Sequence, residues 1–279
     1  MANAEQLANL RAGIDSWNQW RQDHPDVAID LSRANLGNAT LNGANLSGVD
    51  LTRVNFIGAS LSGANLTDAN LTRADLSGAD VNQANLTSAI LTGANLLGAD
   101  LAETILSKAI MAGVNLNRSD LSNVNLSACD LSKASLIGVE MSRADLTGAN
   151  LSSANLKRAE LQRTQLSQAN LADANLEDAR LLSANLSAAN LEGANLRGAR
   201  LNRANLENAN FAAANLKEAN LLGANLTAAT LRAAHLDQVN FSGADLTGAN
   251  FEGADIAGAV LEGATFQGTV MPDGTIRSE

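Results

Sequence analysis

Residues 184–206 read ANLSAANLEGANLRGARLNRANL, and from Leu186 every fifth residue of this stretch is leucine. Outward in both directions, an apolar residue stands on every fifth position from Leu31 to Phe266 without a slip, which makes 48 repeats. The position two residues earlier is nearly always alanine, as in Ala204-Asn205-Leu206. The chain is therefore a repeat array. Aromatic residues are only 3% and tyrosine is absent, which excludes a conventional core of large interlocking side chains.

A period of five excludes both a long helix and a flat strand. Five residues advance an α-helical side chain by about 500°, which spreads leucine around every side of the helix. In a flat strand the side chains have period two, so an odd repeat puts successive leucines on opposite faces. The Ser, Thr and Gly after each leucine, as in Leu61-Ser62-Gly63, are turn formers. Each repeat is therefore predicted to be one short wall and one corner.

The surface residues set the length of one coil. Arg33, Arg53 and Arg73 recur at a spacing of twenty residues, which predicts four walls per coil and about 12 coils. The motif A(N/D)LXX resembles the repeat of the pentapeptide repeat family, and the resemblance covers residues 27–268. It implies an all-β fold, a right-handed quadrilateral β-helix with the central leucine and the preceding alanine pointing inward. Tails similar to residues 270–276 occur on cyanobacterial members of that family.

The two ends depart from the repeat and are predicted to cap it. We expect an N-terminal cap helix and linker over residues 1–26, the β-helix over 27–269 and a capping tail over 270–279. A stripe of apolar residues predicts one helix over 4–22, and Asn3 with Gln6 matches a capping box. Trp17 and Trp20 either cover the first coil or anchor a partner. Residues 270–276 are predicted to form a turn that carries apolar residues back over the last coil.

One predicted wall carries a charged column, which is the sharpest candidate for a binding site. Acidic residues spaced by twenty are followed in the same column by Arg180 and Arg200. Like charges about 5 Å apart repel by roughly 1 kcal/mol even in water. Arg143 and Arg163 stand three residues after the last two acids and are expected to compensate them. The candidate acids, either a partner-binding patch or a solvated stripe, are Asp80, Asp100, Glu103, Asp120, Glu140 and Glu160. Parallel carboxylates on a flat wall do not enclose a cation, so no metal site is predicted.

A second candidate is an apolar cluster of Ile90, Ile105 and Ile110, which replace the usual Asn or Asp before a central residue. Exposed apolar clusters often mark contacts, although tolerated drift is an equal explanation. Cys129 replaces an inward alanine and is predicted to be a packing residue rather than a reactive thiol.

The sequence gives little support for catalysis, membrane insertion or nucleic-acid binding. His24 falls in the cap linker and His235 on the surface, and no phosphate-binding glycine loop or metal-ligand cluster is present. We therefore expect a non-enzyme without a cofactor. The apolar runs are too short to span a bilayer, and Glu5 and Arg11 interrupt any secretion signal, which predicts a cytoplasmic protein. A net charge of −10 repels nucleic acid weakly.

The predicted function is a non-catalytic scaffold that binds an unknown protein partner along one wall. The family resemblance also implies an alternative, since some pentapeptide repeat proteins imitate duplex DNA and inhibit DNA gyrase, a topoisomerase. The spread of arginine over several walls speaks against that alternative, because DNA carries a dense charge of a single sign. A third hypothesis is self-association through the dipolar column or the C-terminal end, so the chain is expected to be a monomer or a homodimer through an end.

Overall fold

The computed structural model describes residues 2–278, which form two compact units divided between Ser135 and Leu136. Within each unit, residues twenty apart form parallel β-bridges, such as Asp30 with Asp50 in the first unit and Asn185 with Asn205 in the second. A coil of twenty residues with four walls is therefore confirmed in both units, which we call unit 1 (residues 2–135) and unit 2 (residues 136–278).

Most walls are held to the next coil by two backbone hydrogen bonds. The central residue donates its N–H forward, as Leu61 does to the carbonyl oxygen of Asp80 at 2.7 Å. The residue before the next central position donates backward, as Asp80 does to Ala59 at 2.9 Å. The corner is closed by a third bond, from the N–H of Ala64 to the carbonyl of Leu61 at 2.9 Å. These bonds make each pentapeptide a one-bridge strand followed by a tight turn.

The corner residue, two positions after each central residue, has a positive φ throughout the repeat. Where glycine stands there, as at Gly63 (φ 64°), this conformation costs no clash with a Cβ. Other residues also adopt it, including Arg53 (φ 57°) and Ala188 (φ 55°), at a cost of about 1–2 kcal/mol each. The forward bond from Arg53 N–H to the carbonyl of Thr72, at 2.9 Å, helps to offset that cost.

The predicted core is confirmed, because all central residues are at most 3% exposed except Ile256 and Leu261 in the last coil. The alanine position is also buried apart from Ala39, Ala259 and Ala264, and where a polar residue replaces alanine it finds a partner. Thr164 donates its hydroxyl to the carbonyl oxygen of Met141 at 2.8 Å, and Cys129 donates its thiol to that of Leu106. Each such bond removes the penalty of burying an unpaired polar group.

The N-terminal cap consists of two helices, α1 (Ala4–Ala12) and α2 (Ile14–Asp23). The prediction of one helix over 4–22 was wrong because Gly13 adopts a φ of 141°, which ends α1 and turns the chain into α2. Asn3 caps α1 as predicted, accepting from the N–H groups of Glu5 and Gln6. The reciprocal half of the capping box does not form, because the Gln6 amide bonds to the backbone of residues 28 and 30 instead.

The cap satisfies the open backbone edge of the first coil. Trp17, fully buried, donates Nε1–H to the carbonyl oxygen of Asn45 at 2.9 Å. Asn18 accepts from the N–H of Asn45 and donates to the carbonyl of Gly43, so its amide takes the place of a neighbouring strand. Trp20 is only partly buried and stacks on Trp17, with ring centroids 5.7 Å apart. Trp17 therefore covers the first coil.

The C-terminal tail is a hairpin of β1 (Thr269–Val270) and β2 (Ile276–Arg277), which pair antiparallel. The expected turn is present, but Ile276 is 71% exposed, so it does not cover the last coil as predicted. Instead the guanidinium of Arg277 lies 3.7 Å from the ring centroid of Phe266, a cation–π contact that covers this ring. Among residues 2–278, no helix has the length and apolar character needed to cross a bilayer.

Candidate functional site

Asp80, Asp100 and Asp120 form a column on one wall of unit 1, which we call the acidic column. Parallel bridges join Asp80 to Asp100 and Asp100 to Asp120, so the three side chains lie on consecutive coils about 4.8 Å apart. Each carboxylate accepts a hydrogen bond from the backbone N–H two residues further on, at 2.8–3.1 Å. This bond fixes the side chain along the wall and uses one carboxylate oxygen, so the second oxygen can accept from another group.

The charge of the acidic column is not neutralised. Among the described residues, none of these three aspartates has a salt bridge, and Asp100 and Asp120 are exposed. Asp80 is half-buried and accepts a long hydrogen bond of 3.3 Å from Ser60. Glu103, at the corner beside Asp100, accepts from the Gln83 amide at 2.9 Å. Negative charge therefore accumulates on this wall of unit 1.

Glu140 and Glu160 lie in unit 2, and their expected compensation by Arg143 and Arg163 was wrong. Glu160 instead pairs with Arg180 of the next coil, at 3.0 Å between guanidinium and carboxylate. Arg143 and Arg163, at corners with φ of 62° and 59°, have no salt bridge among the described residues. Each arginine lies at the corner that follows the wall of its glutamate, whereas the same wall position of the next coil is one strand spacing away.

Arg180 and Arg200 follow Glu160 on one wall of unit 2, bridged to each other and to the coils on either side. A shallow recess of about 330 Å³ opens beside them at Gly198, where neighbouring coils carry Arg158 and Asp178 at the same corner. Arg158 lies 3.8 Å from Asp178, and both are well exposed, so this pair stabilises little. Arg200 has no acidic partner among residues 2–278.

The three candidate isoleucines do not all share one column. Ile90 and Ile110 are bridged on one wall, while Ile105 is bridged to Asn85 and Asn125 on another. Ile105 and Ile110 are 46% and 43% exposed, and Ile90 is half-buried. The apolar surface is therefore split over two walls rather than gathered into one patch.

Outside these columns, the residue types most often used in catalysis are represented by Cys129, His24 and His235. The Cys129 thiol is buried, and burial raises its pKa to about 11, which disfavours the reactive thiolate. His24 packs against Trp20, with ring centroids 4.8 Å apart, and both His24 and His235 are exposed. Within the described part of the chain, no group of three His, Cys, Asp or Glu residues is placed to hold a metal ion.

Two family models match the repeat array. The model described as Pentapeptide repeats matches residues 29–68, 69–107, 109–148, 194–233, 224–263 and 234–271. The model described as Pentapeptide repeat region matches residues 134–211. Together they cover nearly all of the array. No curated protein sequence matches the chain.

Several solved structures are similar in sequence. HetL, a pentapeptide repeat protein involved in heterocyst differentiation regulation from the cyanobacterium Nostoc sp. strain PCC 7120, is 34% identical over 86% of this chain and 94% of its own, with a TM-score of 0.34. A pentapeptide repeat protein from the cyanobacterium Cyanothece 51142 is 30% identical over 47% of this chain and 90% of its own, with a TM-score of 0.20. QnrB1, a plasmid-mediated fluoroquinolone resistance protein, is 18% identical over 80% of this chain and 91% of its own, with a TM-score of 0.31.

Proposed function

Because the chain belongs to the pentapeptide repeat family, as a member of cyanobacterial type with a right-handed β-helix, we propose that it is a non-catalytic scaffold binding a protein partner along the acidic column. The similarity to HetL, a protein involved in regulating heterocyst differentiation, fits a role carried out through binding. A cytoplasmic location belongs to this proposal, and one buried thiol is compatible with a reducing compartment.

The observation that carries the proposal is aspartate where asparagine would serve the fold better. Asn65 accepts the N–H two residues on at 3.1 Å, the same bond that Asp80 makes. Asparagine also donates along its column, as Asn115 does to Asn95 at 2.9 Å, and an ionised aspartate cannot. Three aspartates in a row therefore lose these amide bonds and add mutual repulsion. Turn formation does not explain the three aspartates, because asparagine makes the same turn hydrogen bond. Recognition of a basic surface does explain them.

The described residues assemble no catalytic group, which supports the non-catalytic part of the proposal. A general base needs a positioned partner, and exposed His235 has no side-chain hydrogen bond to another described residue. The walls present rows of short side chains rather than a deep cleft.

No observation favours the DNA-mimic alternative. Arg33, Arg53 and Arg73 are exposed on one wall of unit 1, and Arg180 and Arg200 on a wall of unit 2. Duplex DNA presents charge of one sign at far higher density. The alternative predicts inhibition of gyrase-catalysed supercoiling by micromolar protein, and the scaffold predicts none.

Affinity capture from a lysate of the source organism tests the proposal. The bait pair is wild type against Asp100→Asn combined with Asp120→Asn, which removes two charges and retains the turn hydrogen bonds. The matched control is Asp68→Asn combined with Asp173→Asn, an equal charge change at exposed corners of other walls. We expect a protein that the wild type and the control retain and the acidic-column variant loses. A protein retained equally by all three baits would contradict the proposed site.

A further inference from the structure

A second charged surface lies on one wall of unit 2 and is basic in a chain of net charge −10. We call it the arginine surface, and it consists of Arg163, Arg180, Arg200 and Arg203. All four are exposed, and they come from three consecutive coils. Only Arg180 has an acidic partner among residues 2–278, through its pair with Glu160. The surface therefore presents three unpaired guanidinium groups.

Arg180 and Arg200 are bridged on consecutive coils and lie about 4.8 Å apart, the separation of paired strands, whereas Arg163 and Arg203 stand at the same corner two coils apart, at about twice that distance. A matching partner has to present carboxylates at that repeat. An extended peptide does not, because its side chains on one face are about 6.6–6.8 Å apart. Nucleic acid is a poor match as well, because the chain repels it overall and this wall carries exposed Leu182 and Leu222 rather than aromatic rings for stacking.

The acidic column of the same sequence has the required geometry. Asp80, Asp100 and Asp120 stand on three consecutive bridged coils, and Glu103 adds a fourth carboxylate at the corner. We propose that a second copy of this chain docks the acidic column of its unit 1 onto the arginine surface of unit 2. This inference rests on the proposed function and deepens it, because it names a protein partner for the acidic column.

The interaction is electrostatic and weak, since exposed ion pairs contribute little individually and association orders long arginine side chains. Relief of the repulsion within each column adds to the attraction between them. The contact therefore depends steeply on ionic strength. In about 10 mM salt the Debye length is about 30 Å, and in about 1 M salt it falls to about 3 Å.

Sedimentation equilibrium on the full chain gives the first test. In about 10 mM salt we expect the mass to rise with protein concentration from the 28.8 kDa of one chain towards twice that value. In about 1 M salt we expect the mass to remain that of one chain. The proposal is overturned if the mass stays at that of one chain at all concentrations up to about 1 mM. That range covers any dissociation constant of functional interest. A dimer insensitive to salt also overturns it, because pairing between exposed charges does not hold such a dimer together.

Two charge-reversed variants then identify the surfaces. Asp100→Lys with Asp120→Lys removes the acids, and Arg200→Glu with Arg203→Glu removes arginines that have no salt bridge to lose. Each variant alone is expected to stay monomeric, and their equimolar mixture is expected to associate, because each retains the half that the other lacks. Association in the mixture also shows that both variants are folded.

The outcomes separate this inference from the proposed function. Asp68→Lys with Asp173→Lys controls for net charge and is expected to associate as the wild type does. If either surface variant self-associates like wild type, or if the mixture stays monomeric, the proposal is wrong. The Arg200→Glu, Arg203→Glu variant keeps the acidic column, so a different protein that it captures supports the scaffold function even when self-association fails.

Discussion

Replacing Trp17 by alanine should destabilise the N-terminal end of the β-helix selectively. The indole is fully buried between the cap and the first coil, and such truncations cost about 3–5 kcal/mol. Its Nε1–H also satisfies the carbonyl of Asn45, a bond worth about 1 kcal/mol when water can replace the donor. In a repeat array each coil contacts only its neighbours, so the loss should fall on the cap and the coils beside it.

Amide hydrogen exchange measures this effect at the residues concerned. The N–H groups of Leu31 and Leu46 bond forward to the second coil, and the N–H of Leu216 bonds to the carbonyl oxygen of His235 within unit 2. Since about 1.4 kcal/mol corresponds to a tenfold change, a loss of about 3 kcal/mol speeds exchange at Leu31 and Leu46 more than a hundredfold. Exchange at Leu216 should not change.

Trp20→Ala is the matched control, because Trp20 is partly exposed and, among residues 2–278, stacks only on Trp17 and His24. We expect less than a tenfold change at Leu31 for this variant. Equal acceleration by both variants would show that burial of Trp17 does not hold the cap. Acceleration at Leu216 as well would refute the nearest-neighbour reasoning.

Three further predictions concern a thiol, a corner and the C-terminal hairpin. With a pKa of about 11, Cys129 should react with a disulfide reagent at pH 8 at least a hundredfold more slowly in the native protein than in urea, and fast stoichiometric labelling would contradict its burial. Ala188→Gly removes the cost of a φ of 55°, so it should raise the free energy of unfolding by up to about 1 kcal/mol and raise the melting temperature. Ala194→Gly, at a buried inward position, should lower the melting temperature. The hydroxyl and N–H of Thr275 lower the pKa of Asp273, so this carboxylate stabilises the hairpin above its unfolded pKa and stops doing so as pH falls through the folded value. A carbon-13 titration should place the Asp273 midpoint below about 3.9, and a midpoint at or above that value would contradict the hydrogen bonds.

The core was predictable because it depends on periods that the chain repeats without error. A five-residue register admits one inward-facing large residue per wall, and Phe211 and Phe241 obey it as well as leucine does. The twenty-residue coil was readable from the surface because bridged positions, such as Asp80 and Asp100, carry similar residues. These regularities are properties of the whole array, so single exceptions do not obscure them.

The side-chain pairings were not predictable from separation along the chain. Arg163 follows Glu160 by three residues but lies at a corner of positive φ, whereas Arg180 is twenty residues away and one strand spacing distant. The helix break at Gly13 and the use of Gln6 against the first coil were missed for a related reason. Both depend on where the first coil presents its open edge, which the helical pattern alone does not indicate.

Stability and recognition are largely separable in this architecture. Ile90, Ile105 and Ile110 occupy the position that Asp or Asn usually holds, and they offer no acceptor for the N–H two residues on. The backbone bridges nevertheless continue through all three, so the turn hydrogen bond is dispensable for the coil. What fills this position is therefore only weakly constrained by folding. A run of three aspartates, each carrying a repulsion that asparagine would avoid, is accounted for by the proposed recognition of a basic surface.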